Sequence, residues 1–161
     1  VVLLAFYAGC EPSPPAVEMP QQAQALDSCV CARYAPAAVD ILPLTGFIAA
    51  GPSGADSAIE AYVALLDAFD SQIKAPGSFR FELYACAQRS AEPKGKRVTI
   101  WPDVDLTDPV KNNDYWQDFF RAYRFELPCA RSQGQSYILQ VTCTCSMSQR
   151  LSAELALRPD R

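Results

Sequence analysis

The sequence predicts a mainly β protein: a two-layer β-sandwich of about seven strands with one short helical insertion. Three observations carry that expectation. Tyr137-Ile-Leu-Gln-Val-Thr-Cys-Thr-Cys145 alternates, with Tyr137, Leu139, Val141, Cys143 and Cys145 on one face and Gln140, Thr142 and Thr144 on the other. Phe79-Arg-Phe-Glu-Leu83 alternates in the same way, apolar inward and charged outward. Lys74-Ala-Pro-Gly77 is a strong turn signal beside such a run. An open α+β sheet would use the same strands and stands as the alternative.

Taken in order, Val39-Asp-Ile-Leu-Pro-Leu44 is a first strand, and its proline places it at an edge. Gly51-Pro-Ser-Gly54 is a loop. Ile59 to Phe69 is apolar on both parities, which suits a central strand or a helix. The turn at 74–77 and the alternating run after it favour a strand, so the two runs are expected to form a hairpin. Val98-Thr-Ile-Trp101 is a short strand. Asn112-Asn113-Asp114 offers N-cap oxygens for a helix, along which Tyr115, Trp116, Phe119, Phe120 and Tyr123 recur at helical spacing. Arg124-Phe-Glu-Leu127 returns to alternation. Ser146-Met-Ser-Gln149 closes a final hairpin, whose second strand alternates Leu151, Ala153, Leu155 and Leu157.

A chain of 161 residues is long enough for one domain with a sizeable core and a tail. The composition divides it into an apolar leader end over 1–10, a proline-rich linker over 11–36 and a β domain over 37–161. There is no histidine, which excludes Ser-His-Asp and Cys-His nucleophiles and His-containing metal sites within this chain. Net charge is −4, and the longest basic run is Lys94-Gly-Lys-Arg97, so no nucleic-acid partner is expected. No cofactor and no catalytic centre are indicated. Chemistry by carboxylates, lysine or cysteine stays open.

The seam between leader and linker is informative. Residues 1–6, VVLLAF, read as the tail of a signal-peptide h-region that would continue a longer precursor, and are too short to span a membrane. Tyr7-Ala8-Gly9-Cys10 resembles the bacterial lipobox, in which small residues precede a cysteine that is lipidated. Tyr7 stands where that pattern has an aliphatic residue. Glu11-Pro-Ser-Pro-Pro15 then begins a stiff, polar, extended tether. Lipidation at Cys10 would hold the protein durably on a membrane, since each buried acyl CH₂ contributes roughly 0.8 kcal/mol.

Six further cysteines remain: Cys29, Cys31, Cys86, Cys129, Cys143 and Cys145. Positions two apart on a strand sit roughly 6.5 to 7 Å apart, too far for Cys143 and Cys145 to bridge each other. One possibility clips Cys29 and Cys31 to Cys143 and Cys145 by disulfides. A second gathers the two Cys-x-Cys pairs around Zn²⁺, and a third leaves Cys143 and Cys145 as small buried apolar residues. Asp103, Asp105 and Asp108 fall in one stretch that can bind Ca²⁺ or form Asx turns. The aromatic set 115–123 is read as a core-packing helix face, with a ligand groove as its alternative, and Lys94 to Arg97 as a solvated loop or a contact to anionic lipid headgroups.

The stretches Tyr62–Tyr84, Trp116–Leu127 and Tyr137–Leu157 together are similar to uncharacterised bacterial lipoproteins with an immunoglobulin-like or transthyretin-like domain. The resemblance covers most of 37–158. It implies a membrane-anchored location in the cell envelope, with Cys10 as its only functional residue. The expected role is then a non-catalytic binding or structural module with the membrane, and an envelope protein, as partners. The alternatives are a cysteine-based metal or redox module and a hydrolase using carboxylates.

Overall fold

The computed structural model describes residues 34–50, 56–87, 93–130, 134–145 and 149–158. The leader expected over 1–10 and nearly all of the linker expected over 11–36 lie outside them.

The chain forms two antiparallel sheets packed face to face, a β-sandwich. The first sheet is organised around β3 (Asp56–Leu66), whose apolar residues fall on both parities because both of its faces are covered. Along one side of it run β1 (Ala38–Ile41) and β2 (Gly46–Ala50). Their registers differ by two residues, so Leu42 to Thr45 bulge out opposite Ala61 and Tyr62. Pro43 lies in that bulge, where a missing N–H costs the ladder nothing. On the other side β3 pairs with β4 (Gln72–Ile73) and β9 (Ala122–Cys129), and β9 pairs with β8 (Trp116–Gln117).

The second sheet has the order β11 (Arg150–Leu157), β10 (Tyr137–Cys145), β5 (Gly77–Cys86) and β6 (Lys94–Ile100). The short β7 (Val104–Asp105) continues the β6 edge along β5 after a break at Trp101-Pro102-Asp103. Each sheet therefore has an edge strand cut in two at a proline. Among the described residues there are eleven ladder segments. Joining each broken edge and setting aside the two-residue β4 and β8 leaves the seven strands expected.

The alternating positions meet between the sheets. Ile59, Val63, Leu65, Tyr123, Phe125 and Leu127 come from the first sheet; Phe79, Phe81, Leu83, Leu139, Val141 and Cys143 come from the second. Phe125 packs on Phe79 and Phe81 with ring centroids 5.2 and 4.7 Å apart, so the aromatic pairs cross the layer boundary. Burying each such side chain contributes about 1.5 to 3 kcal/mol. β10 occupies the span read from its alternation, with the expected face buried.

Three local expectations are corrected. The hairpin about 74–77 does not form: β3 turns at Asp67–Ser71 into β4, and the chain then crosses to the other sheet to start β5. Asp67 makes that earlier turn, its Oδ1 accepting the N–H groups of Phe69 and Ser71. The helix, α1 (Pro109–Tyr115), is capped by Asp108, whose Oδ1 accepts from Lys111 N, with Pro109 in the first turn. It ends where Trp116 turns extended and pairs with Tyr123. The aromatic helix face therefore does not exist: Tyr123 is buried in β9, Trp116 lies in β8, and Phe119 stands 91% exposed in a turn. Lys94 to Arg97 is not a loop but the start of β6, held by the ladder to Tyr84 and Cys86.

Candidate functional site

The candidate site is the outer face of the second sheet. Register across three strands places Ser78, Thr144 and Arg150 in one row, Arg80, Thr142 and Ser152 in the next, and Glu82, Gln140 and Glu154 in a third. All point away from the core because their neighbours in sequence fill it. All but Glu154 line a shallow depression of about 350 Å³ that also takes in Asp103.

The charged groups at the rim are matched to each other. Arg80 donates from Nε and Nη2 to the two carboxylate oxygens of Asp103, both at 2.8 Å. That guanidinium holds the Asp103 carboxyl below the usual carboxylate range, and Asp103 in turn raises Arg80. Arg97 donates to Glu82 at 2.7 Å, which raises Arg97. Lys94 donates to Gln140 at 2.7 Å and to Glu154, and lies 4.6 Å from the Tyr84 ring centroid. In the middle the pattern is different. Among the described residues, no hydrogen bond reaches the hydroxyls of Ser78, Thr142, Thr144 and Ser152 or the guanidinium of Arg150. Four hydroxyls and one guanidinium thus stand on three hydrogen-bonded strands, the edge strand β11 among them, facing solvent.

Cys10, Cys29 and Cys31 lie outside the described residues, and with them the lipidation and the clip or Zn²⁺ site expected of the linker pair. Cys143 and Cys145 are brought together, but inside the sandwich: both are buried, with Sγ atoms 3.5 Å apart. The hydrogen bond to Cys145 and burial push the Cys143 thiol up, while the same bond favours the thiolate at Cys145. Among the described residues no three His, Cys, Asp or Glu side chains gather as a metal site. The three aspartates diverge. Asp103 meets Arg80, Asp105 accepts from Thr107 N at 3.0 Å, and Asp108 caps α1. The Thr107 bond holds Asp105 below the usual range.

Sequence reasoning missed the row structure of this face. Each strand shows its own alternation, but which hydroxyl sits beside which depends on two registers at once. It also missed Trp101, whose indole N–H donates to Pro128 O at 2.8 Å and links the two sheets at the β9 edge. No protein-family model, curated protein or solved structure matches the chain.

Proposed function

We propose that this protein is an envelope lipoprotein, acylated at Cys10, whose sandwich is a non-catalytic module binding a polyhydroxylated, carbohydrate-like ligand on the outer face of the second sheet. The observation that carries the reading is the block of unengaged hydroxyls at Ser78, Thr142, Thr144 and Ser152 beside Arg150. Hydroxyls both donate and accept, so they suit a ligand made of hydroxyls. The paired rim, Arg80 with Asp103 and Arg97 with Glu82, leaves Arg150, among the described residues of this face, as the charge that can meet a ligand oxygen. Anchoring is supported by the apolar run, the small residues before Cys10 and the proline-rich stretch after it.

Two experiments test the two halves. Expression with the full precursor in a bacterial host, followed by intact mass of the N-terminal peptide, should show a chain beginning at an acylated Cys10. An unmodified Cys10 would overturn the anchor. Titration of the full chain with soluble glycan oligomers should shift backbone amide resonances of β5, β10 and β11 together. Thr142→Val with Ser152→Ala should abolish those shifts without unfolding the protein. Shifts confined to other strands would reject this face.

A further inference from the structure

We infer that one end of the sandwich rests on a lipid bilayer, with Phe69, Phe119 and Phe120 inserted at the boundary between headgroups and acyl chains. This rests on the anchored reading above and gives the anchored domain an orientation.

The three side chains come from two turns that the register brings side by side. Leu66 pairs with Gln72 around the turn at Asp67–Ser71, and Val63 pairs with Tyr123 just after the turn at Asp118–Arg121. Arg121 donates from Nη2 to Gln72 O at 2.8 Å and ties the two turns together. Phe69 is 82% exposed and Phe119 91% exposed at their tips. Phe120 packs edge-on against both Phe119 and Tyr62, at 5.1 and 5.0 Å between centroids. Behind it, Tyr62, Ala64 and Ala122 form an apolar shelf with Leu42 and Leu66 on the outer face of the first sheet.

The turns hold the rings outward. Asp67 accepts from Phe69 N at 2.8 Å and from Ser71 N at 2.9 Å, and Asp70 sits at φ 60°. Asp118 accepts the Trp116 indole at 2.8 Å, and Arg121 sits at φ 49°. Large apolar side chains fixed at turn tips in this way mark a contact surface.

The chain enters the domain beside these rings. Ala37 N donates to Leu66 O at 2.7 Å, and Ala38 pairs with Leu66, so the stretch from Cys10 reaches the domain at this same end. The residues from Cys10 to Tyr34 can reach about 80 Å when extended. A tether of that length permits any orientation, so a preferred one must come from the domain surface. The turns carry Asp67, Asp70 and Asp118 against Arg121, which rules against recognition of anionic headgroups by a basic patch. Apolar insertion needs no such patch.

The test uses the full chain carrying Cys10→Ser, which cannot be acylated, so that no acyl chain contributes and the comparison with the ring variant isolates the turns. It is mixed with phosphatidylcholine vesicles and the bound fraction is measured against lipid concentration at low and high salt. Saturable, salt-insensitive binding is expected. A double variant, Phe69→Ser with Phe119→Ser, should bind at least tenfold more weakly with an unchanged near-ultraviolet spectrum, since both side chains are exposed. Equal binding by the two chains, or no binding by the parent, would overturn the inference. So would a concentration-dependent dimer abolished by the double variant without vesicle binding, which would assign the rings to a second copy. The anchor is judged separately, by the mass of the N-terminal peptide. Phenylalanine-dependent binding with an unmodified Cys10 would uphold this surface and remove only the anchor.

Discussion

The Thr45 hydroxyl takes the place of a missing strand residue: it accepts the backbone N–H of Tyr62 at 2.9 Å, while Tyr62 O accepts from Leu42 N at 2.9 Å. The bulge at 42–45 lifts the edge strand off β3, and a side chain closes the gap. Thr45 is buried, so replacing it by Val leaves that N–H without a partner. Thr45→Val should cost about 1 to 3 kcal/mol in urea unfolding, and Thr45→Ser markedly less. A cost for Thr45→Ser as large as that for Thr45→Val would show that the hydroxyl is not the dominant group.

Tyr123 joins three elements. Its hydroxyl donates to Ala75 O at 2.8 Å, accepts from Ala75 N at 3.0 Å and lies 3.1 Å from Asn112 Oδ1, while Asn112 Nδ2 donates to Ala75 O and Leu106 O. The crossover between sheets, α1 and β9 are thereby locked to one another. Tyr123→Phe should cost about 1 to 3 kcal/mol.

The same residue gives the protein an alkaline limit. Burial raises the Tyr123 pKa, because the phenolate would be formed in a low-dielectric core. The neutral phenol is therefore favoured by the fold. That contribution is fully present below the unfolded value of about 10 and is lost as pH rises through the raised folded value. The stability gap between the parent and Tyr123→Phe should narrow from pH 8 to pH 11. A constant gap would contradict it.

Gly77 has no room for a methyl group. A Cβ there would lie 2.9 Å from Cys143 Sγ and 3.3 Å from Thr144 O. Gly77→Ala should cost about 1 to 3 kcal/mol. In a Cys143→Ala background the penalty should shrink, giving a coupling of about 0.5 to 3 kcal/mol in a double-mutant cycle. Additive effects would place the clash on the Thr144 carbonyl instead.

Asp103 should titrate below the ordinary carboxylate range because Arg80 binds its charged form. Its contribution to stability is present above the unfolded pKa of about 3.9 and lost as pH falls through the depressed folded value. Side-chain carboxyl resonances followed by NMR should show a low midpoint in the parent and a normal one in Arg80→Ala.

Much of the fold was legible wherever one strand carried its own answer. The alternation of β10 gave both its span and its buried face, and Pro43 gave the edge position of β1. Errors came where two signals competed. Tyr115 to Tyr123 satisfy helical spacing, yet Asp108-Pro109 is the stronger start signal and sets the helix before those rings. Phe69 continues the apolar run that reads as a strand, although Asp67 and Ser71 around it already spell a turn. The candidate face was legible only strand by strand, because Thr142 and Ser152 become neighbours through the pairing of strands.

The prolines have one more effect. An open strand invites another copy to add to it. Here Pro43 cuts one edge and Pro102 another; on β9, Trp101 occupies the carbonyl of Pro128, a residue with no N–H to offer. The β11 edge lies beside β1. Domains anchored as proposed above would meet one another often. Edges built this way let such neighbours collide without zipping into a common sheet.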